Sequence, residues 1–208
     1  MSPTQIDYIV RHLKEDGVSF DAGLTIEEIL QVEQTFSFRF PPDLRAFLQI
    51  ALPVSDGFVP WRWGLRNPDI AHKIVECLDW PADWIVFDVI ENNFWLPEWG
   101  TRPDNKHQWE AVARQHLAGY PQLIPVFGHR YLPESPHEVG NPVFSVYGSD
   151  IIYYGYDLFS YFVQEFTLPY PSDSQTPRRP KFIKFWSNFD EPKDISWGYW
   201  EGTEDASE

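Results

Sequence analysis

The chain has 208 residues, 43% hydrophobic and 23% charged. That is enough to bury a core without metals or disulfides, and it excludes wholesale disorder. Sixteen basic residues stand against 31 acidic ones, a net charge of −15 spread through all three thirds of the chain. Such a surface repels phosphate backbones and anionic membranes, so direct nucleic-acid and membrane binding are not expected. A basic protein partner is favoured instead, because complementary fields speed encounter and penalise wrong partners. Cys77 is the single cysteine, which leaves no intrachain disulfide and no thiolate zinc site. The first residues lack a basic stretch followed by an apolar one, and no apolar run nears the ~20 residues of a membrane-spanning helix. The expectation is a cytoplasmic protein without a cofactor.

Ile6, Ile9, Val10 and Leu13 recur at helical spacing and predict a first helix ending near Gly17. In Leu24-Thr25-Ile26-Glu27-Glu28-Ile29, Thr25 caps the amide of Glu28 while the Glu28 carboxylate reaches back, and Ile29, Val32 and Phe36 line one face. Pro41-Pro42 opens a third helix with Leu44, Phe47, Leu48 and Ala51 inward. Residues 54–69 read as a loop and 70–78 as a helix. The β-branched and aromatic run 84–90 reads as a strand, with 94–96 continuing or pairing with it. Trp109, Val112, Ala113 and Leu117 predict a helix over 108–117. Strands follow at 123–127, 142–147 and 150–154, the last two joined by a tight turn at Gly148-Ser149. Asp157 caps a closing helix.

From 167 to 181 the chain is a Pro-rich connector. The aromatic stretch 182–200 is expected to pack back on the domain, with only the acidic end disordered. The division is thus a domain over 1–168 and an extension over 169–208. The fold class is α+β, a single domain whose central, mostly antiparallel sheet of five or six strands is flanked by N- and C-terminal helices.

The densest chemical feature is 84–99, where Trp84, Phe87, Phe94, Trp95 and Trp99 interleave with Asp88, Glu91 and Glu98. Carboxylates beside aromatic rings suit a glycoside hydrolase or a sugar-binding module. The alternative function is therefore a carbohydrate-binding or carbohydrate-active protein using Trp95, Trp99 and nearby carboxylates. An aromatic core with an acidic edge explains the same pattern. His129-Arg130 sits at a strand end, where functional loops begin. His129, His137 and Glu138 match no zinc spacing, so no metal site is assigned. Cys77 and His72 are badly offset for a nucleophile and base. Ser145 has no base near it in sequence, and neither a nucleophile elbow nor a phosphate-binding loop occurs. No catalytic residue is assigned, and the chain is read as a non-enzyme.

Leu24 to Ile29, Val32-Glu33, Phe36-Ser37-Phe38-Arg39-Phe40-Pro41-Pro42-Asp43-Leu44 and Phe47-Leu48 together resemble the SUKH superfamily. That family includes a fungal regulator of cell-wall glucan synthesis and many bacterial immunity proteins. Asp56-Gly57, the strands around Leu123–Gly128 and Gly140–Val146, and the run from Asp150 to Phe166 extend the likeness over roughly 20–168. Ser37 replaces the usual Gly, the Trp-rich loop 54–69 is long, and the C-terminal extension departs from the pattern. The resemblance implies an α+β domain that works by protein binding, as an immunity-like protein neutralising a basic, nuclease-type toxin or as a regulatory adaptor. The expected partner-binding residues are Asp88, Glu91, Trp95, Glu98, Trp99, His129 and Arg130, chosen on composition.

Overall fold

Helix starts are the most explicit signals in this chain, and each sets where a helix enters the core. The computed structural model of the protein describes residues 1–148, 150–171 and 179–189. Ser2 caps α1 (Pro3–Glu15), and Thr25 caps α2 (Ile26–Phe36) by accepting from the Glu28 amide at 3.1 Å while Glu28 Oε2 accepts from the Thr25 amide at 3.0 Å. Pro42 begins α3 (Pro42–Ile50), where a missing N–H costs nothing. A short antiparallel pair, β1 (Phe20–Ala22) with β2 (Ala51–Pro53), closes this helical corner.

The stretch read as a loop contains one helical turn, α4 (Trp61–Gly64), and it locks the corner from inside and outside. Trp61 points inward and is fully buried against Phe36, Phe38 and Phe40. Arg62 points outward and holds both oxygens of Glu28, at 2.7 and 2.9 Å, while its Nη2 also donates to the carbonyls of Ala22 and Gly23. One carboxylate thus serves a helix cap and an ion pair at once. The Arg62 hydrogen bonds hold the Glu28 pKa down, from 4.5 to about 2. A depressed carboxylate stabilises the fold above its unfolded pKa and loses that contribution as pH falls toward the folded one. Acid unfolding is therefore expected to include a component between about pH 4.5 and 2, worth about 1–2 kcal/mol after solvent screening. Urea titrations at stepped pH should show it in the native chain and not in Glu28→Gln.

Helix α5 (Pro68–Glu91) corrects the strand expected over 84–90. Ile74, Leu78, Pro81, Ile85 and Val89 are all buried at three- to four-residue spacing, the period of a helix face. Pro81, three residues beyond the helix read over 70–78, lies inside it. Proline supplies no N–H to the carbonyl four residues before it. That carbonyl, on Cys77, accepts instead from the Tyr131 hydroxyl at 3.2 Å. Burial pushes the Tyr131 phenol up in pKa, so it remains a donor. The expected strand at 94–96 is likewise irregular chain leading into a 3-10 turn, Pro97–Trp99.

After α6 (Trp109–Leu117) comes an antiparallel meander of β3 (Leu123–Phe127), β4 (Arg130–Pro133), β5 (Val143–Tyr147) and β6 (Asp150–Gly155), in that spatial order. β4 falls where the sequence reading placed a loop. The six strands among the described residues therefore divide four and two instead of forming one sheet. Strand alternation sends side chains to two cores, one on each face of the larger sheet. Ile124, Val126, Leu132 and Val143 join α1, α2, α3 and α7 (Leu158–Glu165). Leu123, Tyr131, Phe144, Val146 and Ile151 join α5 and α6. The β5–β6 turn uses Gly148 at φ +66°, and Ser149 lies outside the described residues.

Ile183, Phe185 and Trp186 are buried in the second core, and Trp186 Nε1 donates to Pro121 O at 2.6 Å. Residues 172–178 of the connector, residues 190–200 of the stretch expected to pack back, and the acidic end lie outside the described residues.

Candidate functional face

The outer face of α5 carries Trp80, Trp84 and Phe87, spaced four and three residues apart and so stacked along one side of the helix. Trp80 is 42% exposed and Phe87 46%, with Trp84 half-buried between them. Their rings meet edge to face, at 5.5 and 5.2 Å between centroids, which holds them as one rigid ridge. The ridge runs to the β5–β6 turn. A side chain on Gly148 would lie 3.8 Å from Trp84, and Tyr147 beside it is 69% exposed. A helix that is apolar on its inner and outer faces is ordinarily buried all round. Here the outer aromatic face is open to solvent.

Carboxylates surround this ridge. Helix α5 holds six acidic residues and one lysine, Lys73. Glu76, Asp79, Asp83 and Glu91 are exposed. Partial burial, and then the charge of Asp83, push the Asp79 pKa up. Arg114 of α6 bridges to Asp83 at 2.9 Å and to Glu110 at 2.8 Å.

The residues expected to bind a partner do not lie on one face. Glu91 is exposed at the end of α5 and belongs to the face just described. Asp88 is 5% exposed on the inner side, where Oδ1 accepts from Asn92 Nδ2 at 2.6 Å. It is a structural carboxylate and not a surface contact. Trp99 is also 5% exposed, its Nε1 donating to the Tyr120 hydroxyl at 3.2 Å and its ring stacked on His116. Glu98 is exposed and accepts from Tyr120 at 2.6 Å. Trp95 is half-buried, donates to Gly100 O at 2.9 Å and faces the Arg102 guanidinium, which lies closer still, at 3.6 Å, over Trp109. A polar cleft of about 450 Å³ beside Glu98 and His116 is walled by Tyr120, but Phe185 stacks on that ring at 4.4 Å. The tryptophans assigned to a sugar platform are thus engaged by the protein's own side chains.

Arg130 is an internal fastener. Its Nε bridges Glu165 of α7 at 2.8 Å, its Nη1 donates to Ser145 Oγ at 2.7 Å, and its guanidinium lies 3.6 Å over Tyr154. His129 is exposed and touches Arg130. Burial and then the Arg130 charge hold its imidazole below the ordinary pKa. Neighbouring Tyr131 points into the second core, so Arg130 emerges on the opposite face of the sheet from Trp99. His137 and Glu138 go separate ways, to Arg39 at 3.1 Å and Lys181 at 2.6 Å. Among the described residues no group of three or more His, Cys, Asp or Glu is arranged to hold a metal ion, and no helix is long and apolar enough to cross a membrane.

Sequence reasoning reached Trp84, Phe87 and Glu91 but missed Trp80, Asp79 and Asp83. The available signal was the helical spacing of Trp80, Trp84 and Phe87, which assigning a strand to 84–90 conceals. No protein-family model, no curated protein and no solved structure matches the chain.

Proposed function

We propose that this is a non-enzymatic, cytoplasmic binding protein of SUKH type that occludes a basic protein partner through the outer face of α5. The reading fits an immunity-like role against a nuclease-type toxin, or a regulatory adaptor. The observation that carries it is the exposed Trp80–Trp84–Phe87 ridge set among carboxylates on a chain of net charge −15. Interfaces draw most of their energy from a few large aromatic or arginine anchors ringed by residues that exclude water. A second copy of the chain would bring the same negative charge to the same face, whereas a basic surface is attracted to it. A nuclease's active surface is basic because it must hold phosphate.

Charge and anchor act on different steps. Charge steers encounter, while desolvated aromatic contacts hold the complex. With the partner captured from the source lysate, Asp83→Lys combined with Glu91→Lys should slow association about tenfold and flatten its salt dependence. Trp84→Ala should leave association nearly unchanged and speed dissociation by about 30-fold, the loss of about 2 kcal/mol. Surface plasmon resonance at two ionic strengths reads both, and unchanged rates in both variants would move the interface elsewhere.

A further inference from the structure

Residues of α5, α6 and the start of β3 line a pocket of about 280 Å³ beside the aromatic ridge. That is smaller than the roughly 300–1,000 Å³ cavities of drug-sized ligands and suits one long side chain. Leu78, Pro81, Ala82, Leu117, Leu123 and Trp186 give it apolar walls. Most of these are set in advance: Leu78, Leu117, Leu123 and Trp186 are buried, and the Trp186 indole is tied to Pro121 O. Preset walls lower the ordering cost of binding.

Two charged residues also line the pocket, Asp79 and Arg114. Arg114 is engaged by Asp83 and Glu110. Among the described residues, no hydrogen bond or ion pair engages the Asp79 side chain. Three carboxylates therefore stand against one guanidinium. Burial and the charge of Asp83 disfavour the ionised form of Asp79 by more than the charge of Arg114 favours it.

These features discriminate among occupants. An anion meets net negative charge. A bare inorganic cation answers Asp79 but leaves the apolar walls against water, and a neutral apolar group fills the walls but leaves Asp79 without a counter-ion. An aliphatic stem ending in a positive charge satisfies both, and lysine and arginine side chains are built that way. Position agrees. At about 100° per residue, Asp79 and Asp83 fall between the pocket residue Ala82 and the ridge residues Phe87 and Trp80 around α5. A protein lying across the ridge thus brings its own side chains within reach of the pocket.

We propose that this pocket receives the stem and charged tip of one lysine or arginine of the partner, an inference that rests on α5 meeting a basic protein. The pocket is tested without any partner, by titrating the ¹⁵N-labelled full chain with N-acetyl-lysine methylamide and its arginine and norleucine counterparts. Saturable amide and indole shifts are expected at residues 78–82, 117–123 and 186, with a dissociation constant of about 10 mM or tighter for a cationic compound. The tighter of the two cationic compounds identifies the residue. Asp79 is exposed, so Asp79→Asn keeps the fold and should weaken binding about tenfold. Asp7→Asn, which removes the same charge from exposed α1 surface, should leave binding as it was. The pocket is overturned if neither cationic compound saturates, if the norleucine compound binds equally well, or if both variants weaken binding alike. Its use by the partner is read in the dissociation rate of the captured protein, which Asp79→Asn should raise about tenfold. An unchanged rate in Asp79→Asn beside a faster one in Trp84→Ala overturns the pocket and keeps the face, whereas no change in either variant overturns the face itself.

Discussion

Gly155→Ala is expected to destabilise the fold by about 3 kcal/mol or more. A Cβ at Gly155 would sit 2.5 Å from Tyr161 Cβ, 2.6 Å from Tyr161 Cα and 2.8 Å from Tyr161 N. The obstruction includes the backbone of α7, so no rotamer change relieves it. β6 and α7 would have to separate, and Tyr161, Phe162 and Leu158, all fully buried, would lose contacts with them. For a chain of this length each kcal/mol lowers the melting midpoint by about 2–4 °C. Thermal unfolding should therefore shift by about 6–12 °C, and a shift under about 2 °C would mean that strand and helix are not this close.

Trp61→Ala carries the largest expected core loss, about 4 kcal/mol. Trp61 is 2% exposed, and its ring lies 6.1, 5.5 and 5.1 Å from those of Phe36, Phe38 and Phe40. Those three residues come from the end of α2 and the turn into α3, so one side chain joins three segments of chain. Removing it leaves a void that the rigid turn cannot fill, because Glu33 Oε1 accepts from the Phe40 amide at 2.9 Å and Glu134 Oε1 from the Arg39 amide at 2.7 Å. Trp61→Phe should cost less, about 1–3 kcal/mol, since it retains the ring contact but shrinks it. Equal midpoints for the alanine variant and the native chain, in urea or on heating, would remove Trp61 from the core.

Much of the helical frame was legible because its signals are local. The caps at Thr25 and Asp157 form as their sequences dictate, with Ser160 completing the box at Asp157. The strands at 123–127 and after 142 were legible from β-branched runs bounded by glycine and proline. What was lost depended on partners remote in sequence. β1 and β2 are three residues each and exist because they pair with each other. β4 is short, ends in Pro133 and was hidden in a polar loop, yet β3 and β5 hold it on both sides. Helix α5 continues past Pro81 because a tyrosine about fifty residues later accommodates the freed carbonyl. No local window contains that fact, so β-branched content alone favoured a strand over 84–90.

The candidate face follows the same division. Aromatic and acidic density drew attention to 84–99, but composition cannot say which side chains turn inward. On a helix, Asp88 falls inward, while Trp84 and Phe87 join Trp80 outside. Arg130 and Trp99, both expected to bind a partner, are parted by the sheet, and each is tied to internal partners. The even spread of negative charge, by contrast, is a property of the whole sequence and needs no fold to be read.

The central claim, that the outer face of α5 grips a basic partner, is tested most directly by parallel affinity capture. Tagged native chain and the Trp80→Ser, Trp84→Ser, Phe87→Ser variant are exposed to the same source lysate at low and high salt, and bound proteins are identified by mass spectrometry. Because Trp80 and Phe87 are exposed and Trp84 only half-buried, the variant should retain its fold, which circular dichroism verifies. The account predicts a basic protein retained by the native chain at low salt, released by high salt and missing from the variant. The same basic protein held equally by both chains would contradict it.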